Sequence, residues 1–285
     1  MLIRSAVAFR LSSLLMTIAS LLFCACYAFV NYVSCAFNLN FFLVCIDICI
    51  LHVCVNLLSD YKDFKYGIDN ILSTGSSGAI VSGLINPDRV LLLFYVFTFI
   101  FIIIGLISVY FLGIKILFIG CVALLLSLSY TEWPLRLKYR ACGELCVFIL
   151  FGPILTYVAI FSLTHDFNTV DLLCSFITGG FVTSVLLANN IRDYKYDINK
   201  TITFVTKYGL KKAYILNYII VHLFYIDVLL LVYVGRFPKS SLFVLLSYIL
   251  VIFSFFYMKS WKYIHIFFWG HIINCVILSL SFIYG

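Results

Sequence analysis

The sequence predicts an all-α, polytopic membrane protein, a bundle of nine transmembrane helices. Three observations predict it. First, 64% of the 285 residues are apolar or aromatic and 11% are charged, with a mean hydropathy of +1.14. Soluble domains carry about 45–50% apolar and about 25% charged residues, so this chain lacks the polar residues for a water-facing surface. The same shortage excludes disorder. Second, the apolar residues fall in runs of about 20, the length that crosses a bilayer as a helix. Third, Lys and Arg are concentrated in alternate connections, the asymmetry that orients membrane proteins.

The first span is 11–34. Arg4 and Arg10 precede it, but the run exceeds the about 7–15 apolar residues of a signal peptide and has no clean cleavage site, so it reads as a retained helix. The second is 40–58, followed by an acidic stretch. The third and fourth, 89–112 and 114–131, are parted by little more than Gly113 and form a tight helical hairpin. The fifth and sixth are 144–164 and 169–188, and the last three are 213–235, 240–258 and 262–284. The long connections are 59–88, 132–143 and 189–212.

With the N-terminus in the cytoplasm, 16 of the 19 Lys and Arg lie on the cytoplasmic side. Only Lys115, Arg236 and Lys239 lie outside. All three long connections then face the cytosol, in the inner membrane if the cell is bacterial. The net charge of +7 reflects this topology, and no nucleic-acid partner is expected. The chain, 1–285, reads as one membrane domain. Its eleven cysteines sit in apolar runs without zinc-ligand spacing and read as small hydrophobes.

Of twelve carboxylates, five sit in two short stretches on that same side. One is Asn56-Leu-Leu-Ser-Asp60-Tyr-Lys-Asp63, continuing to Asp69. The other is Asn189-Asn190-Ile-Arg192-Asp193-Tyr-Lys-Tyr-Asp197. Both contain Asn-x-x-x-Asp-Tyr-Lys, an internal repeat offset by 133 residues. On a helix Asn56, Asp60 and Asp63 share one face, as do Asn189, Asp193 and Asp197. Carboxylates one turn apart repel, the more so near hydrocarbon, and the arrangement makes sense with a cation among them. An all-oxygen donor set selects a hard ion such as Mg²⁺. Two facing acidic helices, each holding Mg²⁺, would form a diphosphate clamp, with Lys138, Arg140, Arg192 and Lys200 neutralising what the metals do not. Solvated helix ends are the alternative, and they leave the repetition unexplained. Asp47 and Asp227 lie within spans and read as structural. Asp47, nine residues before Asn56, falls on the opposite helical face.

These residues resemble the UbiA superfamily of intramembrane prenyltransferases, which carry motifs of the form NxxxDxx(x)D and DxxxD on a nine-helix bundle. They are similar to the branch that prenylates 1,4-dihydroxy-2-naphthoate in menaquinone synthesis. Besides both Asp motifs, the resemblance rests on Gly67-Ile68-Asp69, Ser73–Gly78 followed by Gly83-Leu-Ile, Leu137-Lys138-Tyr139-Arg140-Ala-Cys-Gly143-Glu144, Phe151-Gly152-Pro153 and Lys200-Thr201. It spans roughly 50–210. The family's opening Arg-Pro-x-Thr-Leu is here Arg10-Leu-Ser12-Ser13-Leu14, without proline. The third loop reads Tyr130-Thr131-Glu132-Trp133-Pro134 where a glycine-proline run is usual.

The resemblance implies an active-site cavity facing the cytoplasm, with a polyprenyl diphosphate and an aromatic acceptor as substrates. It implies Mg²⁺ held by the catalytic residues Asp60, Asp63, Asp193 and Asp197. Asn56, Asn190, Lys138, Arg140, Lys200 and Arg10 would bind substrate. Tyr130 is a wall candidate for an allylic cation or an interfacial anchor, and Arg192 contacts substrate or pairs with its own motif. Other acceptors in the same family (hydroxybenzoate, homogentisate, a haem side chain, a sugar phosphate) stay open. So does a cation transporter, although transporters place their sites near the midplane rather than at helix ends.

Overall fold

The computed structural model describes residues 9–33, 35, 38–69, 77–256 and 262–284, and every regular element among them is helical. Parts of the Ser73–Gly78 stretch, with Arg4 and Lys259, lie outside the described residues. The long helices are α1 (Leu11–Asn31), α2 (Leu39–Lys65), α3 (Pro87–Leu112), α4 (Ile114–Thr131), α5 (Gly143–Thr164), α6 (Thr169–Asp197) and α7 (Leu210–Tyr233), followed by α8 (Leu245–Phe256) and α9 (Lys262–Tyr284). Among the described residues eight helices are long and apolar enough to cross a membrane, and the chain is an integral, multi-pass membrane protein.

The span predicted at 240–258 runs past the described residues, which stop at 256. Within them a 3-10 turn over Lys239–Val244 leads into α8. Two boundaries move. α2 continues past 58 to Lys65 and α6 past 188 to Asp197, so both acidic motifs are helical. Hydropathy marks where the hydrocarbon ends, and the backbone hydrogen bonding that defines a helix continues beyond it.

Local chemistry sets several ends. The Asn38 side chain accepts from the Phe41 N–H at 2.9 Å and starts α2. Asn86 caps α3, with Pro87 in the first turn and Asp88 at its positive end. Gly113 joins α3 to α4 at φ +88°, a conformation that a side chain disfavours. In α5 a wide π turn over Leu150–Ile154 accommodates Pro153, which lacks an N–H and crowds the preceding turn.

That turn brings α5 against α6 with almost no space. A Cβ on Gly179 would lie 2.8 Å from the Gly152 Cα, and one on Gly152 would lie 2.9 Å from the Ser175 carbonyl oxygen. On its other side α6 packs Phe181 edge-on to Phe224 of α7, 4.7 Å between centroids, within a core shared by α1, α6, α7 and α9. Buried Asp171 ties the start of α6 to α1, accepting from Tyr27 at 2.5 Å and from Tyr32. α6 is thereby fixed along its length, and so is the acidic motif at its end. Gly179→Ala is expected to cost about 1–3 kcal/mol by overpacking. Gly120→Ala, where a Cβ meets nothing within 4 Å, is the control. Thermal unfolding of both variants in detergent checks this, and equal midpoints would contradict it.

Candidate active site

Three connections meet at one end of the bundle, those that follow α2, α4 and α6. The ammonium of Lys138, on a 3-10 turn after α4, binds Asp63 of α2. The Ala141 N–H donates to the Ile202 carbonyl at 2.8 Å, and the Lys200 ammonium reaches the Ile68 carbonyl at 3.5 Å. Beneath this junction lies a cavity of about 360 Å³. Its polar mouth is lined by carboxylates from both motifs, Asp63 and Asp69 on one side and Asp193 and Asp197 on the other. Asn56, Asn189, Asn190, Arg10, Lys138 and Tyr139 complete the mouth. Its apolar limb continues between α2, α3 and α4, past Ile48, Leu51, Phe101 and Leu106.

Most of the acids are buried and each of three has a cation. Asp63, 3% exposed, accepts from Lys138 and, at 2.7 Å, from the Tyr139 hydroxyl; Lys138 also donates to Ser59 at 2.7 Å. Asp193 is gripped by both prongs of the Arg192 guanidinium, at 2.7 and 2.6 Å. Asp60, 2% exposed, pairs with Arg10 and meets the Ser77 N–H at 3.3 Å. Buried charge persists only when paired in this way. Asp197, half-buried, lies within electrostatic reach of Asp193, Asp63, Lys138 and Lys200. Burial, and next the Asp63 charge, push the Tyr139 phenol up, so it remains a donor. Burial works against the Arg10 charge, but Asp60, Asp63 and Asp69 outweigh it and raise its pKa.

The structure sorts the sequence-predicted residues. Asn56, Asn190, Asp63, Asp193, Asp197, Lys138, Arg10 and Tyr130 share the cavity. Asp60 stands behind its lining, against Arg10. Arg192 pairs with Asp193 of its own motif. Arg140 and Lys200 are exposed and outside the lining. Asp47 keeps its predicted place across α2 from Asn56, on the side that packs on Gly105, and the lower limb of the cavity reaches it there.

Several participants were not predicted. His52 lines the cavity, bonded to Thr17 at 2.7 Å and to Ser13 at 3.2 Å. Tyr139 and Ser59 flank Asp63, and Glu144 binds Asn190 at 2.9 Å. For His52 a signal existed, since it precedes Asn56 by one helical turn and shares its face. For Glu144 the signal was its place at the end of the Lys138-Tyr139-Arg140-Ala-Cys-Gly143-Glu144 stretch that carries the resemblance, which named no role for it.

The donor set at the mouth is all oxygen on the acidic side, which suits a hard divalent ion. Among the described residues no three carboxylate, histidine or cysteine side chains converge as a ready-made metal cage. Mg²⁺ does not need one, because it is usually held by one or two carboxylates plus waters and phosphate oxygens. The residues therefore fit it.

The profile of the UbiA prenyltransferase family matches residues 14–269, and the chain belongs to that family. It is 32% identical over 165 residues to UbiA prenyltransferase domain-containing protein 1 of Dictyostelium discoideum, covering 56% of this chain and 50% of that protein. It is 31% identical over 161 residues to the 1,4-dihydroxy-2-naphthoate octaprenyltransferase of Bacillus subtilis (strain 168), covering 56% and 52%. The matched part thus spans about half the length of these curated relatives. A UbiA homologue from Archaeoglobus fulgidus, solved with GPP and Mg²⁺, superposes with a TM-score of 0.65 at 14% identity, over 99% of this chain and 100% of that one. A UbiA homologue from Aeropyrum pernix K1 gives 0.66 at 15% identity, over 94% and 97%. At such identities the likeness shows the shared fold.

Proposed function

We propose that the protein is a Mg²⁺-dependent prenyltransferase of the cytoplasmic membrane face. It moves a polyprenyl group from its diphosphate to an aromatic acceptor, dihydroxynaphthoate, in menaquinone biosynthesis. The observation that carries this reading is the meeting of two acidic motifs at the mouth of one cavity whose other limb is apolar. The curated relatives named for dihydroxynaphthoate support the acceptor, and the Lys and Arg asymmetry supports the orientation.

Asp63, Asp193 and Asp197, with Asp60 and the carbonyls of Asn56 and Asn190, would hold the cations. Bound there, Mg²⁺ supplies charge neutralisation for the departing diphosphate. Lys138 and Arg10 line the same mouth and stabilise negative charge on the leaving group, as does the Tyr139 hydroxyl by donation. The tail lies in the apolar limb, which keeps water from the allylic carbon. As the C–O bond breaks, its electron pair leaves with the diphosphate, and the ring carbon that bears the carboxylate attacks the allylic centre. Loss of the ring carboxylate as CO₂ returns an electron pair to the ring and restores aromaticity. Tyr130, 7% exposed and in the cavity wall, offers its ring face to the cation.

Purified protein given a prenyl diphosphate and dihydroxynaphthoate is expected to release diphosphate only with Mg²⁺ and to form the prenylated, decarboxylated product. Hydroxybenzoate and homogentisate are expected to react poorly, and preference for either would overturn the acceptor. Folded protein that carried cations across liposomes and released no diphosphate would overturn the enzyme.

A further inference from the structure

The two cavity asparagines are held in the same sense. Asn190 donates its Nδ2 to Glu144 Oε1 at 2.9 Å. Glu144 is 6% exposed and belongs to neither acidic motif. Asn56, 9% exposed, donates its Nδ2 to Ser13 Oγ at 3.2 Å and to the Phe9 carbonyl at 3.4 Å. Ser13 can only accept here, because its own hydroxyl donates to the Arg10 carbonyl at 2.8 Å. His52 completes that side. Its Nε2–H faces the same Ser13 oxygen, and its Nδ1 accepts from Thr17 at 2.7 Å. No donor among the described residues meets the carbonyl oxygen of either amide. An amide whose N–H₂ is spent on outer acceptors turns its oxygen the other way, and both residues line the cavity.

We propose that Glu144 and Ser13 are positioning residues that hold the Asn190 and Asn56 carbonyls toward the cavity, presenting oxygen to divalent cations rather than N–H to diphosphate. The inference rests on the cation-binding reading above. It explains why a buried carboxylate at the start of α5, remote from both motifs in sequence, is turned to the second one. It also gives Ser13 and His52 a task that neither helix packing nor the diphosphate clamp requires. Outer partners of this kind typically change metal affinity about 10–100-fold when removed.

The test uses the purified full chain and no turnover. Thermal unfolding is followed at fixed inorganic diphosphate while Mg²⁺ is titrated, and the half-point of stabilisation is read. Glu144→Met keeps length and volume but cannot accept, and is expected to raise the half-point about 10–100-fold. Glu144→Gln, which keeps an acceptor, is expected to recover most of that loss. Ser13→Ala should raise the half-point in the same direction. Asn190→Ala should match Glu144→Met, and combining the two should add nothing, because both break one unit. Equal half-points in wild type and Glu144→Met, equal effects of Met and Gln, or additivity in the double variant would each overturn the positioning role. A wild type that ignores Mg²⁺ would instead overturn the cation-binding reading beneath it.

Discussion

Asp63→Ala is expected to lower prenyl transfer by about 1,000-fold or more, with the protein still folded. Asp63 meets a cation and a neutral donor from another connection, Lys138 and Tyr139, while lining the cavity. It therefore joins the α2 motif to the loop after α4 as well as offering an oxygen to a metal. Its loss removes a ligand and frees Lys138 from its place. The stability cost stays moderate, because Lys138 is 23% exposed and can turn to Ser59 or water. Asp193→Ala should behave alike, leaving an Arg192 that is 26% exposed. Product formation by mass spectrometry, with circular dichroism as the check on folding, measures both. Half the wild-type rate in either variant would refute a clamp that needs both motifs.

Much of this was legible in the chain because a bilayer imposes simple rules on sequence. Among the described residues every predicted span corresponds to a helix. The repeated Asn-x-x-x-Asp-Tyr-Lys announced two acidic helix ends, and the structure brings both to one cavity. Direction was the harder part. Lys138, Arg140 and Lys200 are equivalent as charges in a sequence, yet of the three only Lys138 lines the cavity, drawn to buried Asp63, while Arg140 and Lys200 are exposed. Helical phase placed Asp47 across α2 from Asn56, and says nothing about how far a cavity wraps around the helix to reach both. The roles of Glu144 and Ser13 were hidden for a different reason. Their partners come from other helices, and pairings 46 and 43 residues apart leave no local spacing to read.

Lys138→Met is expected to separate two quantities that the other variants change together. In the resting protein the Lys138 ammonium sits on Asp63, so an incoming cation must compete with it. Removing the ammonium leaves that carboxylate without its counter-ion and raises its attraction for a divalent ion. Mg²⁺ should then bind at least as tightly as in wild type. Lys138 also stands among the groups proposed to receive the diphosphate, and its loss removes a positive charge where negative charge develops. The value of kcat/KM for the prenyl diphosphate should fall about 100-fold or more, while KM for the acceptor changes little. Asp63→Ala, by contrast, should lose metal affinity and turnover at once. Steady-state kinetics over a Mg²⁺ titration distinguish the two patterns. Weaker Mg²⁺ binding in Lys138→Met, with an unchanged prenyl diphosphate KM, would mean that this lysine holds the loop in place and takes no part at the diphosphate.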